Sequence, residues 1–333
     1  MKVCVLGSGG WGTALSLVLL ENGHDVALWS FTREEYEAIR SAGENPMLKG
    51  VPLPKELRLT WDMNAAAGCG MVVLATPSFA IRTTARKLRD IVTPGTVLVS
   101  VAKGIEEGTS KRLTEAIEEE TQGKCPVVAL SGPTHAEEVG RGVPSAIVAA
   151  SRDQQAAELA QRLFMNERFR VYTSSDVVGA ELGAALKNVI ALCAGISDGM
   201  GFGDNTRAML MTRGLTEIAR LGVALGGRQA TFAGLTGVGD LIVTCTSMNS
   251  RNYRAGILIG QGMPVQQAIQ EIGAVVEGYY AVDSARELAK RAGVEMPITQ
   301  AAYQVLYEGR DPKTVLQELM RREKRHEMEE TWI

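Results

Sequence analysis

Histidine is scarce in this chain, and cysteine is scattered. The three histidines, His24, His135 and His326, lie far apart and show no ligand spacing. The five cysteines, Cys4, Cys69, Cys125, Cys193 and Cys245, are odd in number and form no Cys-x-x-Cys pair. Zinc sites and disulfide frameworks are not expected; the pattern reads as reduced thiols. There is no basic excess either, with 35 Lys+Arg against 38 Asp+Glu and a net charge of -3. Nothing points to nucleic acid or anionic lipid, so an anionic ligand must be met by local basic residues. No internal repeat is visible. The apolar run from Val3 meets Gly7 too soon for a secretory signal core, and no stretch reads as long and apolar enough to span a bilayer. The expectation is a cytoplasmic protein with no metal and no stable membrane association.

What is present is an ordinary globular composition, 45% hydrophobic and 22% charged over 333 residues, enough for two domains. The first half alternates short Val/Leu-rich runs with helical patterns. Strands are expected at Lys2 to Leu6, Asp25 to Trp29, Met71 to Ala75, Val97 to Val101 and Val127 to Leu130, with more at Ala146 to Ala150 and Phe169 to Tyr172. Helices are expected at Thr13 to Asn22, Thr32 to Ala42, Phe79 to Val92 and Thr109 to Glu120. Such alternation predicts a parallel sheet covered on both faces. From Ser174 onward strand signals almost vanish. Ser175-Asp176 reads as an N-cap pair for a long apolar helix. Further helical patterns run over Thr206 to Leu225, Tyr253 to Gln261, Val265 to Ile272, Ala281 to Ala292, Ile298 to Tyr307 and Pro312 to Met320. The fold class is therefore α/β, an N-terminal Rossmann-type parallel-sheet domain (1-173) followed by an all-α C-terminal domain (174-333). The charge run Arg321 to Glu330 reads as a solvated helix end or frayed terminus.

Gly7-Ser8-Gly9-Gly10-Trp11-Gly12 places Gly-x-Gly-x-x-Gly between the first strand and the first helix. Glycines here permit a tight turn, close approach of a pyrophosphate, and close helix–sheet packing, while the helix offers free N–H groups to phosphate. A site for NAD would carry an acid at the end of the second strand, yet Leu28-Trp29-Ser30 is followed by Phe31-Thr32-Arg33. Phe31 suits an adenine. Arg33 either pairs with a 2′-phosphate or is a surface arginine at a helix start. NADPH is favoured, with NADH left open. The loops Ala75-Thr76-Pro77-Ser78, Lys103-Gly104 and Ser131-Gly132-Pro133-Thr134 follow later strands, where ligands of parallel sheets bind.

Lys187-Asn188 sits inside the apolar stretch Ala180 to Leu192. An ammonium there costs free energy unless it is used, and a lysine suits proton transfer to a ketone while a nicotinamide moves a hydride. The alternative is a snorkelling lysine with one wet face. Gly234 to Leu241 reads as a glycine-rich loop with Asp240 at its end, which either accepts a hydrogen bond from Lys187 or a substrate hydroxyl, or is a helix N-cap. Ser250 reads as an N-cap that puts Arg251 and Asn252 in a first helical turn, an anion site suited to phosphate or a solvated basic turn.

The ordered set Gly7 to Leu15, Lys103-Gly104-Ile105-Glu106, Ser131 to Thr134, Leu186 to Ala191, Gly237 to Leu241, Ser250-Arg251-Asn252 and Val275 to Tyr279 resembles the bacterial-type NAD(P)-dependent glycerol-3-phosphate dehydrogenase family almost end to end. The resemblance implies reduction of dihydroxyacetone phosphate to sn-glycerol 3-phosphate, feeding glycerophospholipid synthesis, with Lys187 as the proton-transfer residue. It implies a substrate site of Lys103, Gly132, Thr134, Lys187, Asp240, Ser250, Arg251 and Asn252. It implies a cofactor site that includes Gly10, Trp11, Phe31, Lys103, Ala136, Arg251, Val275 and Glu277. Two departures bear on cofactor preference: glycine at Gly10 where the family often has serine, and Phe31-Thr32 where it often has a basic pair. The alternatives are a 3-hydroxyacid dehydrogenase of similar build and a non-catalytic NADPH-binding regulator. A homodimer is left open.

Overall fold

A computed structural model describes residues 1–324, 326 and 327. Eight strands form one sheet: β1 (Lys2–Leu6), β2 (Asp25–Trp29), β3 (Arg58–Thr60), β4 (Met71–Leu74), β5 (Val97–Ser100), β6 (Val127–Ser131), β7 (Ser145–Ala150) and β8 (Phe169–Ser174), in the order β3-β2-β1-β4-β5-β6-β7-β8. The intervening helices are α1 (Gly10–Glu21), α2 (Arg33–Ala42), α3 (Ile81–Leu88), α4 (Leu113–Glu120), α5 (Ala136–Gly140) and α6 (Gln154–Phe164). Alternate strand residues enter two different cores. Val3, Val5, Val26, Leu28 and Val73 join Leu15 and Leu19 of α1 and Phe164 of α6. Cys4, Leu6, Trp29, Val72 and Leu74 join Ile81 and Leu88 of α3 and Ile117 of α4. Both faces are dry, which explains why the strands read as unbroken apolar runs.

The sheet departs from the all-parallel expectation at one edge. β6 and β7 pair antiparallel, with Ala129 opposite Ala150, although β7 and β8 are parallel again. A parallel return is usually carried by a full helix, and the connection from β6 to β7 holds only α5, 5 residues long. The expected helix from Thr109 begins instead at Leu113. Ser110 has φ 57 and Ile105 bridges Arg112, so the segment after Gly104 is a folded-back loop. The short edge strand β3 lies in a region that carried no strand signal.

After Ser174 every described element is helical: α7 (Val177–Gly199), α8 (Asp204–Ala224), α9 (Gln229–Phe232), a π-helical turn (Leu235–Gly239), α10 (Asp240–Thr246), α11 (Arg251–Gly260), α12 (Val265–Ile272), α13 (Glu277–Ala292), α14 (Pro297–Leu306) and α15 (Pro312–Met320). Asp176 caps α7 by accepting from the Gly179 amide at 2.9 Å. α7 corrects the expectation that no segment is long and apolar enough to cross a bilayer: its best window has mean hydropathy 1.6. That window is 89% buried within the protein, because α8, α10, α11 and α13 surround the helix and α7 is a core rod instead of an amphipathic one. Contact with α11 is backbone on backbone. A Cβ at Gly195 would fall on the Tyr253 carbonyl, and one at Gly256 on the Leu192 carbonyl. This close approach fixes the first turn of α11 against the middle of α7. Of the terminal charge run, Arg322 pairs with Glu295 at 3.4 Å, while residues 325 and 328–330 lie outside the described residues.

Candidate active site

The glycine motif forms a cradle made largely of backbone. Gly7 has φ 121, and a Cβ there would lie 2.6 Å from the Ala75 carbonyl oxygen. At Gly12 a Cβ would fall on the Gly7 carbonyl. Around Gly9 the space is open, with no heavy atom within 4 Å of a Cβ position. α1 starts with no side-chain cap and no acid in its first turn, so its amides remain available to an anion. The Trp11 indole Nε1 is buried with no partner. Asn45 pins the loop, donating from Nδ2 to the Ser8 carbonyl at 2.7 Å and to Thr13 Oγ1 at 2.6 Å. These features fit a dinucleotide pyrophosphate. Gly10 also has a local reason: a Cβ there would meet the Met47 carbonyl oxygen at 2.6 Å and lie 3.6 Å from Ala136 Cβ.

At the tip of β2, Phe31 is 67% exposed and meets Trp29 edge-on at 6.0 Å. Thr32 and Glu35 form a capping box for α2. Arg33 pairs with Glu37 at 3.7 Å and lies 5.8 Å over the Trp61 ring.

The catalytic end is made of buried charge. Lys187 is 4% exposed, which removes the snorkelling alternative. Its Nζ donates to Asp240 Oδ1 at 2.6 Å and to Thr244 Oγ1 at 2.5 Å. Asp240 Oδ2 accepts from Lys103 Nζ at 2.9 Å, and Lys103 also donates to the Gly132 carbonyl at 2.8 Å. One carboxylate thus holds two ammonium groups. Asp240 is the first residue of α10 and not its N-cap, which settles the two readings of that residue. The segment before it is a π-helical turn instead of a loop. Gly183 allows this turn to sit on α7, since a Cβ there would fall on the Thr236 carbonyl, and Gly237 allows it to sit on the Phe232 backbone. Burial pushes the Lys187 ammonium down to about 8, Lys103 adds to the shift, and Asp240 opposes it. Burial likewise lowers His135, whose Nε2 lies 3.3 Å from the Val243 carbonyl oxygen.

A chain of amides joins this cluster to α11 and α13. Asn188 donates to the Lys103 carbonyl at 3.2 Å and accepts from Asn252 at 3.0 Å; Asn252 Oδ1 accepts from the Gly278 amide at 2.8 Å. Ser250 caps α11, accepting from the Tyr253 amide at 3.2 Å, and Arg251 projects from the first turn into solvent. No acid shares that turn, so it presents a cation and helix amides together. Glu277, at the start of α13, accepts from Ser78 Oγ at 2.6 Å and from the Ser78 amide at 3.3 Å. Burial raises its carboxyl, against those bonds and the Arg251 charge. Gly104 is required beneath this contact, where a Cβ would meet Ser78 Cβ at 2.6 Å.

The structure therefore gathers Lys103, Gly132, Lys187, Asp240, Asn188 and Asn252 into one bonded group. Thr134 joins it through its hydroxyl on the Gly132 carbonyl at 3.2 Å. Val275 is half-buried two residues before Glu277. Arg33 and Phe31 stand apart at the β2 tip. Sequence reasoning missed Thr244 and Asn45. Thr244 carried a signal, since it is four residues after Asp240 and shares its helix face.

Comparison with known proteins agrees with this geometry. Residues 2–157 match the family model for the NAD-dependent glycerol-3-phosphate dehydrogenase N-terminus, and residues 176–317 match its C-terminus. A glycerol-3-phosphate dehydrogenase [NAD(P)+] of Moorella thermoacetica is 53% identical over 98% of this chain and 98% of its own length. That of Desulfitobacterium hafniense is 51% identical over 99% and 94%. The crystal structure of glycerol-3-phosphate dehydrogenase from Coxiella burnetii superposes with a TM-score of 0.92 at 37% identity, covering 96% of this chain and 99% of that one. With both halves matched and relatives alike over nearly their full length, the chain belongs to the NAD(P)-dependent glycerol-3-phosphate dehydrogenase family.

Proposed function

We propose that this protein reversibly reduces dihydroxyacetone phosphate to sn-glycerol 3-phosphate with NADPH or NADH, feeding glycerophospholipid synthesis. The observation that carries the reading is the buried Lys187 ammonium, held by Asp240 and Thr244 and joined through Asp240 to Lys103. A bound dihydronicotinamide supplies the hydride that reduces the carbonyl carbon. Lys187 delivers a proton to the carbonyl oxygen as the C–O π bond becomes an alcohol, and takes it back in the reverse direction. Asp240 remains paired with Lys103 after Lys187 gives up its proton, so no carboxylate is stranded in the apolar core. Lys103 polarises the same oxygen or orients the adjacent hydroxyl. Arg251 and the first amides of α11 grip the phosphate, with Ser250 and Asn252 setting that turn. The cofactor cradle is Gly7, Gly9, Gly10, Trp11 and Gly12, extended by Phe31, Arg33, Ala136, Val275 and Glu277.

The same reading divides the chain near Thr173, because among the described residues every strand ends by Ser174 and every later element is helical. It includes a cytoplasmic enzyme free of the membrane, with its most apolar helix inside its own core, and a homodimer as the assembly to be tested by light scattering. The deciding assay is steady-state oxidation of NADPH with dihydroxyacetone phosphate, run beside a set of 3-oxoacids. Turnover of dihydroxyacetone phosphate is expected. Turnover of an oxoacid in its place would reassign the substrate, and NADPH binding with no turnover of either would favour a regulator.

A further inference from the structure

The tip of β2 decides which adenosine ribose a site of this kind accepts, and here it carries an unusual set of side chains. An acid that would hold a free 2′-hydroxyl is missing from the strand end, where Ser30 is 1% exposed. Glu35 is already engaged in the cap of its own helix. Its Oε2 accepts from the Phe31 amide at 3.2 Å and the Thr32 amide at 3.5 Å. What borders Phe31 is cationic. Lys87, in the last turn of α3, brings Nζ to 5.8 Å from the Phe31 ring centroid. Among the described residues Lys87 has no carboxylate partner, and that ring contact is its one interaction. Among the described residues Arg33, from the first turn of α2, has its one carboxylate partner in Glu37, in a pair whose side chains are 69% and 51% exposed.

Lys87 thus borders the exposed Phe31 ring from α3, while Arg33, two residues after Phe31 in the chain, lies 5.8 Å over the Trp61 ring, and both cations are weakly committed. An exposed ion pair along a helix contributes little, and a cation at the far limit of ring contact gains little more. A phosphate dianion placed one ribose away from a base lying along Phe31 is a better partner for both. We infer that Lys87 is a determinant of cofactor selectivity, receiving, together with Arg33, the 2′-phosphate that distinguishes NADPH from NADH. The inference rests on the nicotinamide-cofactor reading above. It adds to the basic group that follows β2 a second one from a helix more than fifty residues later in the chain.

The test is direct binding of NADPH and NADH, followed by nucleotide fluorescence, for the wild type, Lys87→Gln, Lys87→Arg and Arg33→Gln. The wild type is expected to bind NADPH more tightly. Lys87→Gln is expected to raise the ratio of Kd for NADPH to Kd for NADH by about five-fold or more, and Lys87→Arg to restore most of the wild-type ratio. Added salt should erode the wild-type ratio more than that of Lys87→Gln. An unchanged ratio in Lys87→Gln, equal weakening of both nucleotides, or a wild type that prefers NADH would each overturn the inference. Dihydroxyacetone phosphate turnover is measured on the same preparations. A wild type that discriminates the nucleotides but reduces no dihydroxyacetone phosphate would overturn the reaction proposed above while the Kd ratio still decides the role of Lys87.

Discussion

The two ends of the site are built from different materials. The cofactor end is shaped by backbone: Gly7, Gly10 and Gly12 are needed because carbonyl groups press against them, and α1 offers uncapped amides. The catalytic end is shaped by side chains: Lys187, Asp240 and Lys103 form a buried charged group, and Asn188 and Asn252 tie it to α11 and α13. A backbone cradle tolerates change wherever it faces open space and nowhere else. A charged cluster depends on every member, because a lone buried charge is costly.

Breaking the catalytic end gives the largest effects. Lys187→Ala is expected to lower kcat by about 10²–10⁴-fold, the usual contribution of a positioned acid, while NADPH binding stays close to wild type. Turnover and nucleotide titration on one preparation check both halves. Asp240→Asn leaves the Lys187 and Lys103 ammonium groups without their shared anion. A stability loss of about 3–5 kcal/mol is expected where a buried partner is removed, read by urea unfolding, along with a fall in kcat. Gly256→Ala tests packing of the two helices that carry the site. Its Cβ meets the Leu192 carbonyl, so a loss of about 1–3 kcal/mol or more is expected, accompanied by weaker substrate binding as α11 moves off α7.

The smallest effect sharpens the comparison from the cofactor side. Gly9→Ala adds a methyl to open space, so stability should change by less than about 0.5 kcal/mol, whereas NADPH affinity should fall if the pyrophosphate takes that space as proposed. A matching loss of stability in a thermal melt would show that the loop, and not the ligand, needs Gly9.

This contrast also explains what could be read before the fold was known. The glycine motif is local, so its turn and the helix that follows were legible in adjacent residues. Lys187 was legible because a charge inside an apolar run needs a reason. Its partners were not, because Asp240 is 53 residues away and the Lys103–Asp240 contact spans 137. The antiparallel β7 was hidden for a related reason: strand direction depends on how far α5 can carry the chain, and only its observed length reveals that. The π-helical turn at Leu235–Gly239 read as loop because its glycines serve contact with α7 and Phe232, not chain reversal. At the tip of β2 a local reading names Arg33, whereas Lys87 comes from α3, more than fifty residues later, and only the fold brings it to Phe31.

The account turns on one ionisable group, Lys187, whose folded value lies near 8, below its ordinary value of 10.5. Reduction needs its ammonium and oxidation needs its free amine, so the two directions must respond oppositely to pH. The most direct measurement is kcat/KM for dihydroxyacetone phosphate and for glycerol 3-phosphate from pH 6 to 10, which reports the ionisation of the enzyme before substrate binds. The account predicts that dihydroxyacetone phosphate reduction falls, and glycerol 3-phosphate oxidation rises, as pH passes through about 8. Profiles that are flat or run parallel across that range would contradict it.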